Sequence, residues 1–367
     1  MKVRKVMQLG RSSLVVSLPK GWADQYELTK GDELVFETRG DGSLGIYPHD
    51  TKRDKASKIT ITVPPTADKG LVERQLIAAY LSNFPEIEIC STEDFTSDQQ
   101  EELRARLKEL VGLQIIETSS KMVRIQSIVN ISDLNLEKSL NRAHSITASM
   151  LGDAIRALET FDIDLAKSIV KMDDDVNQFY FLILKQLQFA LQNPITMKEL
   201  GIDLVDVLSY HSVLRRIEHI ADHAKTIAES IAALHYYKAP NDLIQLITSY
   251  LKQVYEIYCR AVEGLSYKKI NMVNDTINNR YRIRKELTRD LLREIGRDSQ
   301  KRIGEAKNTI GDPKKSEKGL KMLAETYEVY CMLRTLADKV ERVADYAADI
   351  AEVAINRTIK SPPTQEV

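Results

Sequence analysis

Two pairs of carboxylates recur in the C-terminal part of the chain with the same spacing. Glu218 precedes Asp222 by four residues, and Glu341 precedes Asp345 by four. Residues four apart lie on one face of a helix, so each pair offers oxygen ligands for a single multivalent cation. An arginine partner, or water on an exposed face, would satisfy the same carboxylates. The spacing alone leaves a metal site and a solvated acidic face open.

Both pairs belong to an internal repeat. The segment Arg216–Glu229 matches the segment Lys339–Glu352 at an offset of 123 residues. Such self-similarity is typical of a tandem architecture. From about residue 134 to 359 the periodicity is helical and is interrupted by turn segments at Gln192–Pro194, Ala239–Asn241 and Gly311–Pro313. The sequence predicts six long helices in two three-helix units, about residues 134–238 and 241–357.

Two histidines beside the first carboxylate pair raise the alternative of a metal–carboxylate enzyme of the di-iron type. Such a site takes Glu-x-x-His pairs from two helices. Here Glu218 and Asp222 are spaced as Glu-x-x-x-Asp, and the second repeat has Arg342 and Tyr346 where the first has its histidines. The chain also lacks P-loop, GxSxG and HExxH motifs. We therefore expect no enzyme, and we interpret His219 and His223 as polar surface residues.

Basic residues are concentrated at the start of a chain whose formal net charge is −1. The first twenty residues contain five basic side chains and no acidic one. Because phosphate contacts come from lysine and arginine, any DNA contact is expected to begin there. The candidate DNA-binding residues are Arg4, Lys5, Arg11 and Lys20.

The first fifty residues alternate with the period of strands. Gly10 and Gly31 mark turns, with a further turn at Gly40–Gly42, and a short helix is expected to open at Pro19. A unit this small buries little apolar surface as a monomer, so we expect it to form a homodimer. The predicted strands are Val3–Leu9, Leu14–Leu18, Glu33–Thr38 and Leu44–Tyr47.

Residues 51–132 change period repeatedly and predict a small domain of order β-α-β-α-β-β. It shows no catalytic motif. The predicted strands are Ile59–Val63, Ile87–Cys90, Leu113–Glu117 and Val123–Ile128, and the predicted helices are Asp68–Asn83 and Ser97–Val111.

Length and composition agree with several soluble domains. The chain has 367 residues, 43% of them hydrophobic and 29% charged. No stretch approaches about 18 uninterrupted apolar residues, and the start lacks the apolar centre of a signal peptide, so we expect a cytoplasmic protein without membrane insertion. Three widely separated cysteines indicate neither a disulfide framework nor a zinc site. The tail at residues 361–367 is predicted to be disordered.

The repeated ExxxDxxxxxAE signature and the six-helix tandem layout resemble the PhoU family of phosphate-signalling proteins. The resemblance implies iron or zinc clusters, or another divalent metal, at paired acidic motifs. The stronger motif falls on Glu218 with Asp222 and on Glu341 with Asp345. The other, expected at the end of each repeat's first helix, falls on Asp173–Asn177 and on Asn274–Asn278.

The second acidic motif departs from the family pattern. Asn177 and Asn278 replace a terminal aspartate, and Asn274 replaces the leading carboxylate of the second copy. A neutral amide oxygen removes a charge from a hard-cation site. Any metal is therefore expected first in the first repeat, with Asp173 as a third carboxylate beside Glu218 and Asp222.

The N-terminal segment Arg4–Trp22, followed by Leu28–Asp32, resembles the swapped-hairpin SpoVT/AbrB DNA-binding fold in its archaeal form. In that family two chains intertwine and basic residues of the first strand and turn face DNA, which matches Arg4, Lys5 and Arg11. Ala23 and Asp24 stand where bacterial members carry arginines. The alternative is a dimerisation module that does not bind DNA. A toxin antidote would account for this N-terminal segment alone and not for the rest of the chain.

These features predict a multidomain, mainly α chain with an N-terminal swapped-hairpin β domain at 1–50, a small α/β domain at 51–132 and PhoU-like tandem three-helix bundles at 133–360. The expected function is a DNA-binding regulator of phosphate uptake. Its partners, implied by the resemblance, are a phosphate transporter's ATPase or a sensor protein. The alternatives are a metal–carboxylate enzyme and a PhoU-type adaptor that does not bind DNA.

Overall fold

The computed structural model describes residues 3–38, 42–48, 58–64, 70–129, 134–267, 270–310 and 316–360. It separates into two compact units, Met1–Lys58 and Ile59–Val367. The first holds small strand hairpins, and the second holds a small sheet followed by long helices. The predicted mainly α, multidomain architecture is confirmed.

The first unit, called the head below, contains two antiparallel hairpins and one short helix. Strands β1 (Met7–Leu9) and β2 (Ser13–Val15) pair across a turn in which Gly10 has φ +72°. Helix α1 spans Lys20–Gln25, and strands β3 (Leu34–Thr38) and β4 (Leu44–Pro48) form the second hairpin.

The head has almost no interior of its own. Within its described residues only Gly45 and Pro48 are buried. Val3, Leu9 and Leu14 expose 93%, 65% and 74% of their surface. The first two strands are also shorter than predicted, at Met7–Leu9 and Ser13–Val15. A head with this much exposed apolar surface is the kind that dimerisation stabilises.

The second unit begins with a four-stranded sheet of order β5-β6-β8-β7. Strands β6 and β7 each pair antiparallel with β8. Helices α2 and α3 lie between the strands along the chain, and together they enclose a core that includes Tyr80 and Ile125. The element bounds are β5 Lys58–Val63, α2 Leu71–Leu81, β6 Glu86–Ser91, α3 Ser97–Glu109, β7 Leu113–Thr118 and β8 Met122–Ser127.

The described residues beyond the sheet contain six long helices, as predicted, and one short helix that was not. Their apolar faces share one continuous core. The helices are α4 Leu136–Thr160, α5 Ile163–Gln192, the short α6 Pro194–Glu199, α7 Leu204–Tyr236, α8 Asn241–Tyr267, α9 Ile270–Ile310 and α10 Ser316–Lys360.

The turn between α4 and α5 corrects one prediction. Phe161 adopts a left-handed conformation with φ 53°, and Asp162 caps α5 by accepting a hydrogen bond from the Leu165 amide at 2.9 Å. No Gly or Pro marks this turn, so it was missed. As a result Asp173–Asn177 lies in the second helix of its repeat, not at the end of the first, and Asn274–Asn278 likewise lies in α9.

Other predicted features lie wholly or partly outside the described residues. They are the turns at Gly40–Gly42 and Gly311–Pro313, the start of the helix at Asp68, and the tail at 361–367. In the part of the chain that the structure describes, no helix is both long enough and apolar enough to cross a membrane.

Candidate functional site

The four candidate DNA-binding residues all lie on the exposed surface of the head. Arg4 and Lys5 precede β1, Arg11 lies in the turn at the tip of the first hairpin, and Lys20 begins α1. Arg4 Nη1 donates a hydrogen bond to Ser17 Oγ at 3.3 Å, which ties the segment before β1 to the segment after β2.

These cations are spread over the first hairpin and the segments that flank it. Arg4 and Arg11 are seven positions apart, which in a fully extended strand corresponds to at most about 23 Å. That separation suits contact with successive phosphates of a duplex better than a single small anion. The head therefore presents several exposed positive side chains before, at the tip of and after its first hairpin.

In the first repeat, Asp173 of α5 is the buried member of the acidic group. Its side chain is 4% exposed, and its Oδ2 atom lies 2.8 Å from Lys225 Nζ of α7. Asn177 Nδ2 donates to the same oxygen at 3.4 Å. The carboxylate is thus already neutralised by an ammonium group from the facing helix.

Glu218 and Asp222 lie on the same face of α7, as the i,i+4 spacing predicts. Glu218 is 22% exposed at its side chain, whereas Asp222 is exposed. Burial, followed by the neighbouring Asp222 carboxylate, raises the pKa of Glu218 to about 7. A proton on Glu218 lowers the negative charge of the group, and the raised pKa favours that protonated form.

The second repeat arranges its carboxylates differently. Asp345 Oδ1 of α10 lies 4.0 Å from Arg280 Nε of α9, a side chain that is only 17% exposed. Glu341 accepts a hydrogen bond from the Thr288 hydroxyl. Each carboxylate of the pair thus has a partner from the facing helix.

The predicted second motif of this repeat does not face its carboxylates. Asn274 and Asn278 are exposed. In α5, residues 173–176 are buried, exposed, exposed and buried. Residues 273–276 of α9 show the same burial pattern, which begins at Val273. The burial pattern therefore aligns Asp173 with Val273, so the second repeat has an apolar residue where the first has its buried acid.

The observed donors do not fit a multivalent cation. Across the ranges that the structure describes, no group of three or more His, Cys, Asp or Glu side chains is arranged to hold a metal ion. The buried carboxylate of the first repeat is paired with Lys225, and Arg280 stands at the corresponding junction of the second. Binding of iron, zinc or another divalent metal stays a prediction from the resemblance.

His219 and His223, interpreted from the sequence as polar surface residues, are both partly buried, and His219 keeps 31% of its side-chain surface exposed. Both contact Tyr346 of α10, and the His223 ring stacks on it with a centroid distance of 5.6 Å and an interplanar angle of 15°. Burial, followed by the nearby Lys339 charge, lowers the pKa of His223 to about 4. The two histidines belong to the interface between the third helices of the two repeats.

This interface joins equivalent positions of the two repeats. His223 and Tyr346 occupy equivalent positions at the offset of 123 residues, and the structure brings these two side chains into contact. Arg216 of α7 adds an ion pair to Asp349 of α10 at 3.1 Å.

A further polar contact joins the sheet to the helical bundle. Lys185 of α5, 1% exposed, places Nζ 4.0 Å from the centre of the Tyr80 ring of α2. Burial lowers the pKa of Lys185 to about 8. Gln186 Nε2 donates to the Leu134 carbonyl at 2.8 Å. The sequence pattern does not indicate this contact, because a lysine within a helix is usually exposed and nothing in its neighbours predicts that it is buried.

Comparison with known proteins matches both parts of the chain. Residues 140–231, within α4–α7, match the family model described as the PhoU domain. Residues 7–54 match the model described as antidote-toxin recognition MazE, bacterial antitoxin. These matches confirm the predicted resemblance of the helical body to PhoU and of the N-terminal segment to an AbrB/MazE-like domain.

Two individual proteins extend the comparison. The phosphate-specific transport system accessory protein PhoU homolog of Pseudomonas putida is 32% identical over 87 residues, which are 23% of this chain and 31% of the relative. The chain thus spans less than a third of that protein's length. The crystal structure of PhoU from Pseudomonas aeruginosa aligns with a TM-score of 0.47 and 18% identity, covering 63% of this chain and 98% of that one.

Proposed function

We propose that this chain is a cytoplasmic, DNA-binding regulator of phosphate uptake. Its head binds DNA as a homodimer, and its PhoU-like body receives the phosphate signal from a partner protein. The observation that carries the proposal is the presence, in one chain, of a MazE-matching head with exposed basic residues and a PhoU-matching helical repeat.

The head supplies the features that DNA binding needs. Four exposed cations lie on or next to the first hairpin and at the start of α1, and the first twenty residues contain no acidic side chain to oppose them. The exposed apolar residues of both hairpins, including Leu14 and Phe36, are the surface through which two heads would associate. A homodimer doubles the number of phosphate contacts.

The helical body supports a role in signalling rather than catalysis. Its polar groups are engaged in structural contacts, such as the Arg216–Asp349 ion pair and the His223–Tyr346 stack. Because the Pseudomonas putida relative is named an accessory protein of phosphate-specific transport, we propose a phosphate transporter's ATPase or a sensor protein as the partner. In this proposal the protein is not an enzyme.

The salt dependence of DNA binding tests the proposal. The full-length protein and an Arg4→Ala, Lys5→Ala, Arg11→Ala variant would be titrated on labelled genomic DNA fragments at several salt concentrations. If each substitution removes one phosphate contact per protomer, the slope of log K against log salt should flatten by about five units for a dimer.

The matched control removes three exposed cations from the helical body, by Lys171→Ala, Arg284→Ala and Lys285→Ala. This variant loses the same charge but should keep the wild-type slope. Equal slopes for the wild type and the head variant would refute DNA binding through these residues. Absence of wild-type binding would favour the adaptor that does not bind DNA.

A further inference from the structure

In each helical repeat a positive side chain is paired with a carboxylate across the junction of the second and third helices. In the first repeat Lys225 of α7 reaches Asp173 of α5, and in the second Arg280 of α9 reaches Asp345 of α10. The polarity is reversed: the acid is on the second helix in one repeat and on the third helix in the other. The two repeats thus reach the same charge balance with different residues.

The Lys225 ammonium group already binds the Oδ2 atom of Asp173, one of the two oxygens that this carboxylate could offer to a metal. Its 2.8 Å distance to Asp173 Oδ2 is that of a direct, charge-assisted hydrogen bond. Asn177 donates to the same oxygen, so the inward-facing atom of this carboxylate is already committed. A divalent cation there would meet the repulsion of Lys225 unless that side chain withdrew.

In the second repeat a cation is present at this junction although only two carboxylates, and not three, belong to the group. Val273 takes the buried position that corresponds to Asp173, which leaves Glu341 and Asp345 as the acids of the group. Arg280, 17% exposed, lies 4.0 Å from Asp345. Removal of Arg280 would therefore leave Asp345 without its cation, whereas removal of Lys225 would leave Asp173 unpaired near Glu218 and Asp222.

We propose that Lys225 is the resident cation of the first repeat and excludes divalent metals from the group formed by Asp173, Glu218 and Asp222. Arg280 has the same charge-balancing role in the second repeat. The inference is independent of the proposed DNA-binding function. It makes the opposite prediction to the family resemblance for this particular chain.

Manganese titration of the full-length protein tests the proposal. Wild-type protein, stripped with chelator, would be compared with Lys225→Ala by calorimetry and by thermal unfolding with and without Mn²⁺. We expect Lys225→Ala to bind Mn²⁺ at least about tenfold more tightly than the wild type and to gain melting temperature from it. Substitution of Glu218→Gln and Asp222→Asn in the Lys225→Ala background should abolish that gain.

Three further variants sharpen the test. Lys225→Arg keeps the charge and should behave as the wild type, and Arg280→Ala should create no site because Val273 supplies no carboxylate. Lys225→Met keeps the apolar stem of the side chain and replaces Lys225→Ala if that variant does not fold. Mn²⁺ binding by the wild type as tight as by the Lys225 variants would overturn the proposal, as would absence of binding in both.

Discussion

His144 offers a quantitative test of the helical core. It lies on α4, where its ring contacts Tyr258 of α8 edge-on at a centroid distance of 5.0 Å. Its Nδ1 atom is buried without a hydrogen-bond partner among the described residues. Burial lowers the pKa of His144 to about 4. The folded protein therefore holds this histidine neutral at pH values where the unfolded chain takes up a proton.

The sign and size of the effect follow from that difference. Between the unfolded pKa of about 6.5 and the folded value, the unfolded state binds more protons, so stability falls as the pH falls. Between pH 7.5 and pH 4.5 the loss due to His144 is about 2.5 kcal/mol. Below the folded pKa of about 4, both states are protonated and the loss does not grow further.

Urea unfolding at these two pH values measures the loss. Circular dichroism at 222 nm follows the helices, whereas fluorescence would follow the head, because Trp22 is the sole tryptophan of the sequence. His144→Leu should lose about 2.5 kcal/mol less stability than the wild type on acidification. His223, whose pKa is also lowered to about 4, remains in both proteins and cancels in the comparison.

The exposed His235→Leu variant controls for the loss of one histidine at a surface position. If His144→Leu and the wild type lose the same stability between the two pH values, His144 is not buried as described and the reasoning fails. A larger loss in the variant would also refute it, because removal of this group can only weaken the acid dependence that it causes.

Two other predictions concern the head and the junction of the sheet with the bundle. Light scattering should find the full-length chain at twice its 41.7 kDa mass, and Leu9→Asp with Leu14→Asp should yield monomer, because four buried leucines contribute at least about 6 kcal/mol to a dimer. Leu320→Asp, at a position 61% exposed on α10, is the control, and a dimer that survives the head substitutions contradicts the prediction. Lys185→Met should stabilise the protein by about 1 kcal/mol in urea unfolding at pH 7.5, since it removes a buried charge at the expense of the contact with Tyr80. This gain should disappear as the pH rises above the lowered pKa of about 8, because the wild type regains stability when Lys185 becomes neutral in the folded state. A Lys185→Met variant that is less stable than the wild type at pH 7.5 would contradict the prediction.

The sequence predicted elements well where hydrophobic periodicity carried the information. Strands such as Ile59–Val63 and helices such as Ser97–Val111 differ from the observed elements by one or two residues. The turn at Phe161 was missed, because a left-handed phenylalanine has no signature in composition. That single omission placed Asp173 on the wrong helix of its repeat.

The candidate site could be predicted only in part, because motif matching compares residue types and not the faces they occupy. Alignment by type paired Asp173 with Asn274, whereas burial pairs it with Val273. Lys225 lies outside the acidic motifs. Its ion pair with Asp173 depends on how α5 and α7 pack, which the sequence motifs do not give. The repeat offset shows that His223 and Tyr346 are equivalent positions, but their stacking is seen only in the folded chain.

Sequencing of the DNA that is cross-linked to this protein in cells tests the central claim most directly. The wild type would be compared with the Arg4→Ala, Lys5→Ala, Arg11→Ala variant in phosphate-replete and phosphate-starved cultures. We predict enrichment of a limited set of promoters that includes phosphate-uptake genes, loss of that enrichment in the variant, and a change in occupancy between the two cultures. The same recovery of DNA from the wild type and the variant, or an occupancy that does not respond to phosphate, would contradict a DNA-binding regulator of phosphate uptake.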